Sequence, residues 1–297
     1  MHVFVAGATG LIGRALCAAL LSQGHRVTAL SRSPSPALLP EVKAIQGDPA
    51  EPGPWGESLA ACDACVNLAG EPLALRRWTP EVKRRIRESR VLAARNVAAA
   101  VAAGGPGVLV QASAVGFYGS RGDEELTEAS PGGTDFLATT CREWEEAAAP
   151  AARRARLVLL RTGLVLAREG GALPRMALPF RLFAGGPMGD GAFWQPWIHL
   201  ADEVGLLLWA VGEPKASGPI NATAPAPVRN RDLAKALGRA LGRPSLLPVP
   251  LLAVRAAVGE VAEVVTASQR VLPARALELG YRFQFPELGA ALADLLG

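Results

Sequence analysis

Val3-Phe-Val-Ala-Gly-Ala-Thr-Gly-Leu-Ile-Gly13 joins a short apolar run to a helical pattern through three glycines. The stretch reads as a nucleotide-phosphate cradle. Gly7 permits the tight turn out of a strand, Gly10 lets the backbone approach a pyrophosphate, and Gly13 lets the helix pack close to the sheet. Thr9, Leu11 and Ile12 complete the loop and first helical turn, where free N–H groups and the positive end of the helix dipole meet the phosphates. A glycine triplet alone fits any strand-to-helix turn. Here an apolar run precedes it and the amphipathic series Leu11, Ile12, Leu16, Leu20 and Leu21 follows, which is the context the motif requires.

Outward from this stretch, strands and helices alternate. Arg26–Leu30 reads as a second strand, followed at once by Ser31 and Arg32, where this kind of site reads the adenosine ribose. An acidic residue there would bond a 2′-hydroxyl, whereas an arginine pairs with a 2′-phosphate. Arg32 also fits a solvated loop charge; its place where the acid is missing favours NADP over NAD. Val42–Asp48 reads as the third strand, with Asp48 either beneath an adenine ring or as a turn aspartate before Pro49. After a helical stretch from Trp55 to Ala61, Ala64–Gly70 gives the fourth strand and a small-residue turn, Leu68, Ala69 and Gly70, that lets a nicotinamide ribose or phosphate come close.

Pro80–Ala103 is a long helical pattern, Val108–Ser113 a fifth strand, Ala114–Gly119 a loop, Phe136–Ala149 a helix and Arg156–Arg161 a sixth strand. Crossovers of this length pair strands in parallel. The expected fold is α/β, a doubly wound parallel sheet with a smaller C-terminal α+β lobe. From Thr162 glycine and proline cluster, and Phe193, Trp194 and Trp197 read as walls of a substrate pocket or core of the smaller lobe, with the pocket favoured. Trp197–Asp202 leads into a helix with Asp202 as N-cap. Ile220–Thr223 is a short strand, Arg231–Leu241 a helix, and Tyr281–Phe285 a terminal strand-like run.

Half of the 297 residues are apolar, a fifth are charged and the formal charge is +4. This balance belongs to a globular chain, and no apolar run reaches the ~18 residues of a membrane span. With no leader-like pattern before the first strand, the expected compartment is the cytoplasm. The arginines at 76, 77, 84, 85, 87 and 90 fall mostly at helical spacing among acids with little aromatic interleaving, a solvated face rather than a nucleic-acid stripe. Cys62-x-x-Cys65 runs straight into a strand, which argues against a redox pair. His2, His25 and His199 stand far apart, so no metal-ligand cluster is expected.

Taken together, the glycine stretch, Asn67–Gly70, Ser113–Gly119, Arg161–Val165 and Trp197–Asp202 resemble the extended short-chain dehydrogenase/reductase superfamily. More narrowly the chain resembles its atypical branch of epimerase family proteins, or nucleoside-diphosphate-sugar epimerase-like proteins. Gly70-Glu-Pro72, Ser89-Arg90, Cys141–Glu145, Gly259–Glu263 and Ser268–Pro273 carry that closer likeness. The resemblance implies a Rossmann domain over 1–165 that also receives elements from about 200–225. It implies a substrate lobe over 166–297, with a family-specific C-terminal part from about 246. It further implies NADP(H), a small polar substrate, and cofactor contacts at Ser113, Arg161, Thr162 and Gly163 besides those named above.

The chain departs from the superfamily's Tyr-x-x-x-Lys, in which a lysine lowers the pKa of a proton-moving tyrosine. Four residues after its two tyrosines stand Gly122 and Phe285. Aligned by Glu145, the tyrosine position holds Leu137 and the lysine position Cys141. Ser113 matches the superfamily serine that bonds the reacting oxygen; Tyr118, five residues on, lies close enough to face the nicotinamide, whereas the resemblance gives the matching tyrosine a structural place in most relatives. Glu71 and His199 are further titratable candidates, or a helix cap and a satisfied lobe histidine. Two functions follow: an atypical NADP-dependent enzyme of this superfamily, or an NADPH-binding sensor that has lost hydride chemistry.

Overall fold

The computed structural model describes residues 1–33, 38–73 and 77–297; Pro34 and Arg76 lie outside the described residues. Seven strands form one parallel sheet: His2–Ala6, Arg26–Ser31, Lys43–Gln46, Ala64–Asn67, Val108–Ala114, Arg156–Thr162 and Gly218–Ala222. Numbered first to seventh along the chain, they lie in the spatial order seventh, sixth, fifth, fourth, first, second, third. The order reverses between the first and fourth strands, which opens a crevice at their carboxyl ends.

The first strand shows why the sheet is buried on both faces. Val3 and Val5 join Leu16, Leu20, Leu206 and Leu207 on one side, from the helices Leu11–Ser22 and Leu200–Gly212. Phe4 and Ala6 join Trp55, Leu59, Val97 and Val101 on the other, from the helices Trp55–Ala60 and Pro80–Ala103. Side chains alternate across a strand, so a run that is apolar throughout belongs between two helical layers. The helix Pro80–Ala103 starts sharply because Thr79 accepts a hydrogen bond from the Val82 amide and proline occupies its first position. Thr79 therefore does the capping expected of Glu71, whose amide instead donates to Ser89 Oγ at 3.0 Å.

The smaller lobe packs the helices Leu173–Arg181, Asn230–Leu241 and Leu288–Leu296 around Leu173, Phe180, Leu233, Leu237, Leu292 and Leu295. Trp197 belongs to this core. It is fully buried, and its indole N–H donates to Ala226 O at 3.0 Å, so it walls no pocket. Trp194 is half-buried between Arg229 and Arg270, with its indole donating to Asp123. The expected loop at 114–119 contains a 3-10 turn, Val115–Tyr118.

Two corrections concern the chain after Trp197. The helix begins at Leu200, and its N-cap is His199, whose Nδ1 accepts from the Ala201 amide at 3.0 Å. Asp202 lies inside the first turn, and its carboxylate accepts the amides of Gln284 (2.7 Å) and Phe285 (2.9 Å). Residues 281–285 consequently form no strand. Their alternating pattern reflects anchoring of Tyr281 and Phe285 rather than ladder pairing: the Tyr281 hydroxyl donates to Asp202 O, and Phe285 stacks on His199. Among the described residues no helix is long and apolar enough to cross a membrane.

Candidate functional site

The glycines of the opening stretch divide into two kinds. Gly7 has φ +80°, and a Cβ there would lie 2.7 Å from the Leu68 carbonyl. At Gly13 a Cβ would lie 2.2 Å from Gly7 O. Both positions are closed to any side chain by the protein's own backbone. At Gly10 the nearest such atom is Gly7 O at 3.3 Å, and the residue is exposed. It stands at the start of a helix that, among the described residues, no side chain caps. The first amides of that helix lack intrahelical partners, so this end suits an anion.

The turn after the fourth strand is held by Asn67. Fully buried, it donates through Nδ2 to Gln111 Oε1 at 2.9 Å, and its Oδ1 accepts from the Ala69 amide at 3.2 Å. The Leu68–Ala69 peptide is thereby fixed against Gly7. A polar residue ending the apolar run Ala64–Val66 was the sequence signal for this role. At the end of the second strand Ser31 Oγ donates to Ser33 O, while the Arg32 side chain is exposed and, among the described residues, unpaired. Asp48 Oδ1 accepts from the Ala50 amide at 2.9 Å, so its carboxylate stabilises the turn through Pro49.

At the ends of the fifth and sixth strands lies a buried polar chain. Ser113 Oγ donates to Glu145 Oε1 at 2.6 Å, and Arg161 donates to both Glu145 oxygens at 2.8 Å. Arg161 Nη1 donates to the Tyr118 hydroxyl at 3.0 Å, and that hydroxyl donates to Asn221 Oδ1 at 2.7 Å. The Arg161 guanidinium also lies 3.5 Å from the Phe117 ring centroid. Burial works to lower the Arg161 pKa, but bonding to Glu145 and contact with Tyr118 outweigh it and raise the pKa above its ordinary value. Sequence reasoning treated Glu145 as an alignment marker and missed its place at the centre of this network.

This geometry corrects two expectations. Tyr118 is fully buried with its hydroxyl already donating and accepting, and burial raises its pKa. It faces the core. Arg161 is likewise closed in, its guanidinium given over to Glu145 and Tyr118. Its neighbours are likewise engaged within the protein. Thr162 Oγ1 donates to Glu203 Oε1 at 2.8 Å, and a Cβ on Gly163 would lie 2.3 Å from Pro196 O. Glu203 is fully buried, its Oε2 has no hydrogen-bond partner among the described residues, and burial pushes its pKa up to about 8 against the Thr162 hydrogen bond.

Leu137 and Cys141 occupy the helix Phe136–Ala148 beside Gly116, where an added Cβ would lie 3.4 Å from Leu137 Cβ and 3.8 Å from Cys141 Sγ. Neither is a proton carrier here: one is aliphatic, and burial pushes the Cys141 thiol up to about 12. Cys17 and Cys62 are pushed up to about 11 by burial. His199, as cap and partner of Asp294, is a satisfied lobe residue. Among the described residues there is no group of three side chains able to hold a metal ion.

Comparison with known proteins gives the geometry a setting. Residues 3–222 match the NAD dependent epimerase/dehydratase family, and residues 249–295 match a domain of unknown function, DUF1731. The chain is 43% identical over 303 residues to the chloroplastic epimerase family protein SDR39U1 homolog of Arabidopsis thaliana, covering 100% of this chain and 87% of that protein. It is 39% identical over 306 residues to epimerase family protein SDR39U1 of Homo sapiens, covering all of both. Its structure is similar to that of human SDR39U1 isoform 2 solved with NADPH, with TM-score 0.90, 37% identity, and coverage of 100% of this chain and 99% of that one.

Proposed function

Because the chain belongs to the NAD dependent epimerase/dehydratase family, we propose that it binds NADP(H) and acts as an oxidoreductase or epimerase-like enzyme on a small polar substrate. In this reading the sheet half over 1–165 holds the dinucleotide, and the lobe over 166–297 holds the substrate. The observation that carries it is the pair Gly7 and Gly10: one turn closed by backbone, one residue open over an uncapped helix end. The fit extends along the crevice, with the exposed Arg32 available to a 2′-phosphate and the Leu68–Gly70 turn beside the cradle. The relative solved with NADPH supports the same choice of cofactor. When bound, the cofactor supplies or accepts hydride at its nicotinamide ring.

The chain's own residues would hold and orient. The helix end at Leu11 binds phosphate, and Asn67 keeps the Leu68–Ala69 peptide in place. Ser113, its proton on Glu145, offers lone pairs to a donor on the substrate. Four free and buried cysteines fit the cytoplasmic placement.

A second reading, an NADPH-responsive sensor without turnover, is favoured by Leu137 and Cys141 where a tyrosine and lysine would carry protons. The two separate on purified protein. The enzyme reading requires some member of a carbonyl and sugar-nucleotide panel to oxidise bound NADPH, with the rate changed in Ser113→Ala. Binding of NADPH with no turnover on any member, and no effect of Ser113→Ala on any measured property, removes the main support of the enzyme reading; failure to bind NADPH removes both.

A further inference from the structure

The helix Asn230–Leu241 of the smaller lobe ends in a run of exposed cations. Lys235 and Arg239 stand one turn apart on it, and Arg243 follows four residues later, past the closing Gly242 at φ +62°. Among the described residues none of the three pairs with a carboxylate. Elsewhere on the surface Arg84, Arg87, Arg121, Arg255 and Arg275 each pair with a glutamate. Like charges four residues apart on a helix repel and destabilise it. The helix dipole favours a cation in the last turn, but the effect falls off there and leaves Lys235 unexplained.

The three cations line one open groove of about 490 Å³ together with Ser245 and Leu246, a volume within the range of small-ligand sites. The chain after the helix folds back to build it. The Arg243 amide donates to Gly238 O at 2.8 Å, and a Cβ on the buried Gly238 would lie 2.8 Å from Arg243 O and 3.1 Å from Ser245 Cβ. Ser245 Oγ is buried and, among the described residues, has no hydrogen-bond partner, an arrangement that costs free energy unless a partner arrives. Beside the groove, Phe183 is the one described non-glycine residue with a left-handed backbone, at φ +59°, a strained conformation for a bulky side chain. Its ring centroid lies 4.6 Å from the Arg243 guanidinium, so a cation–π contact steadies that side chain at the groove. Backbone strain of this kind collects at ligand clamps.

Repulsion among unpaired cations and an orphaned hydroxyl are both relieved by one class of ligand. We propose that this groove binds clustered phosphate groups. Arg239 and Arg243 offer forked donors that match phosphate oxygens, Lys235 adds a point charge, and the Ser245 hydroxyl adds a further donor. The phosphates belong either to a free oligophosphate or to adjacent headgroups of a lipid surface, toward which Leu246 would project, 80% exposed. The groove shares no residue with the cradle at Gly7, Gly10 and Gly13.

Two probes test this on the full chain: inorganic pyrophosphate by calorimetric titration, and vesicles of phosphatidylglycerol in phosphatidylcholine by co-sedimentation. Wild type is expected to bind at least one of them saturably. Lys235→Gln combined with Arg239→Gln should weaken that binding by at least about tenfold, the scale of a lost charged hydrogen bond. The charge-matched control, Arg84→Gln combined with Arg87→Gln, should change it by less than about twofold, because distant surface charge is screened. Thermal unfolding accompanies each variant, and Arg243→Gln, beyond the helix, carries the test if the first variant does not fold. Pyrophosphate binding that survives saturating NADPH and falls only in the groove variants supports the site with a free ligand. Vesicle binding with the same dependence, and none to phosphatidylcholine alone, supports it with headgroups. Binding of neither probe by wild type, or equal loss in groove and control variants, overturns the site. So does full displacement of pyrophosphate by NADPH in a protein that binds no vesicles.

Discussion

Ser113 Oγ donates its proton to Glu145 Oε1 across 2.6 Å, and the same carboxylate holds Arg161 with both oxygens. The three side chains are almost fully buried. Removing one member of a buried ion pair leaves the other without compensation, at a cost of about 3–5 kcal/mol. Glu145→Leu is therefore expected to destabilise the protein by that amount in urea unfolding. Glu145→Leu combined with Arg161→Met should recover part of the loss, and Ser113→Ala should cost only about 1 kcal/mol. A double variant no more stable than Glu145→Leu alone would mean the pair is not the source of the cost.

The glycines permit a separation of folding from binding. Gly13→Ala places a Cβ 2.2 Å from Gly7 O, a contact only backbone movement can relieve. A loss of roughly 2 kcal/mol or more in stability is expected. Gly10→Ala meets nothing nearer than 3.3 Å and should leave stability within about 1 kcal/mol, yet obstruct the phosphate and weaken NADPH. Comparable losses of stability in both would show that Gly10 is a structural glycine like its neighbours.

Arg32 is exposed and unpaired among the described residues. If it selects the 2′-phosphate, Arg32→Glu should weaken NADPH by at least about tenfold and NADH by much less, since it exchanges a partner for a repelling charge. Isothermal titration with both cofactors decides this, and equal losses would remove Arg32 as the selector.

Glu203 predicts a pH dependence. Its pKa is raised from 4.5 to about 8 by burial, so the folded chain holds a proton that the unfolded chain releases above 4.5. Its contribution to stability is full below that lower value and declines as pH rises through about 8. Glu203→Gln keeps an acceptor for Thr162 and removes the titration. It should gain on the order of 3 kcal/mol relative to wild type at pH 7, and little at pH 4. Parallel stability curves for the two proteins between pH 4 and 8 would contradict the assignment.

The sheet was legible because its central strands are apolar runs bounded by glycine or a helix pattern, and the seventh strand was anticipated as the short run at Ile220. The cradle was legible for the same reason: Gly7, Gly10 and Gly13 act within eleven residues. What could not be read were partnerships across the sequence. Tyr118 looked available until Arg161 and Asn221, 43 and 103 residues away, took its hydroxyl. Trp197 looked like a pocket wall because its partner is the carbonyl of Ala226, which carries no side-chain signal. Asp202 looked like a cap, but His199 reaches the amide first and frees the carboxylate for residues 82 and 83 further on.

The clasp at Asp202 has a counterpart at the other end of the same tail. Arg270–Val271 lies parallel to Glu125–Leu126, and Gln269 donates to the carbonyls of Val115 and Gly119. Asn221, partner of Tyr118, also donates to Leu272 O. The segment matched as a separate domain is thus threaded through the loops of the first one, sharing its strand edges and its polar chain. It is no detachable module. Exchange of this tail between relatives, or its transplantation to another dinucleotide-binding protein, would have to carry Asp202, Asn221 and the 115–126 loop along with it.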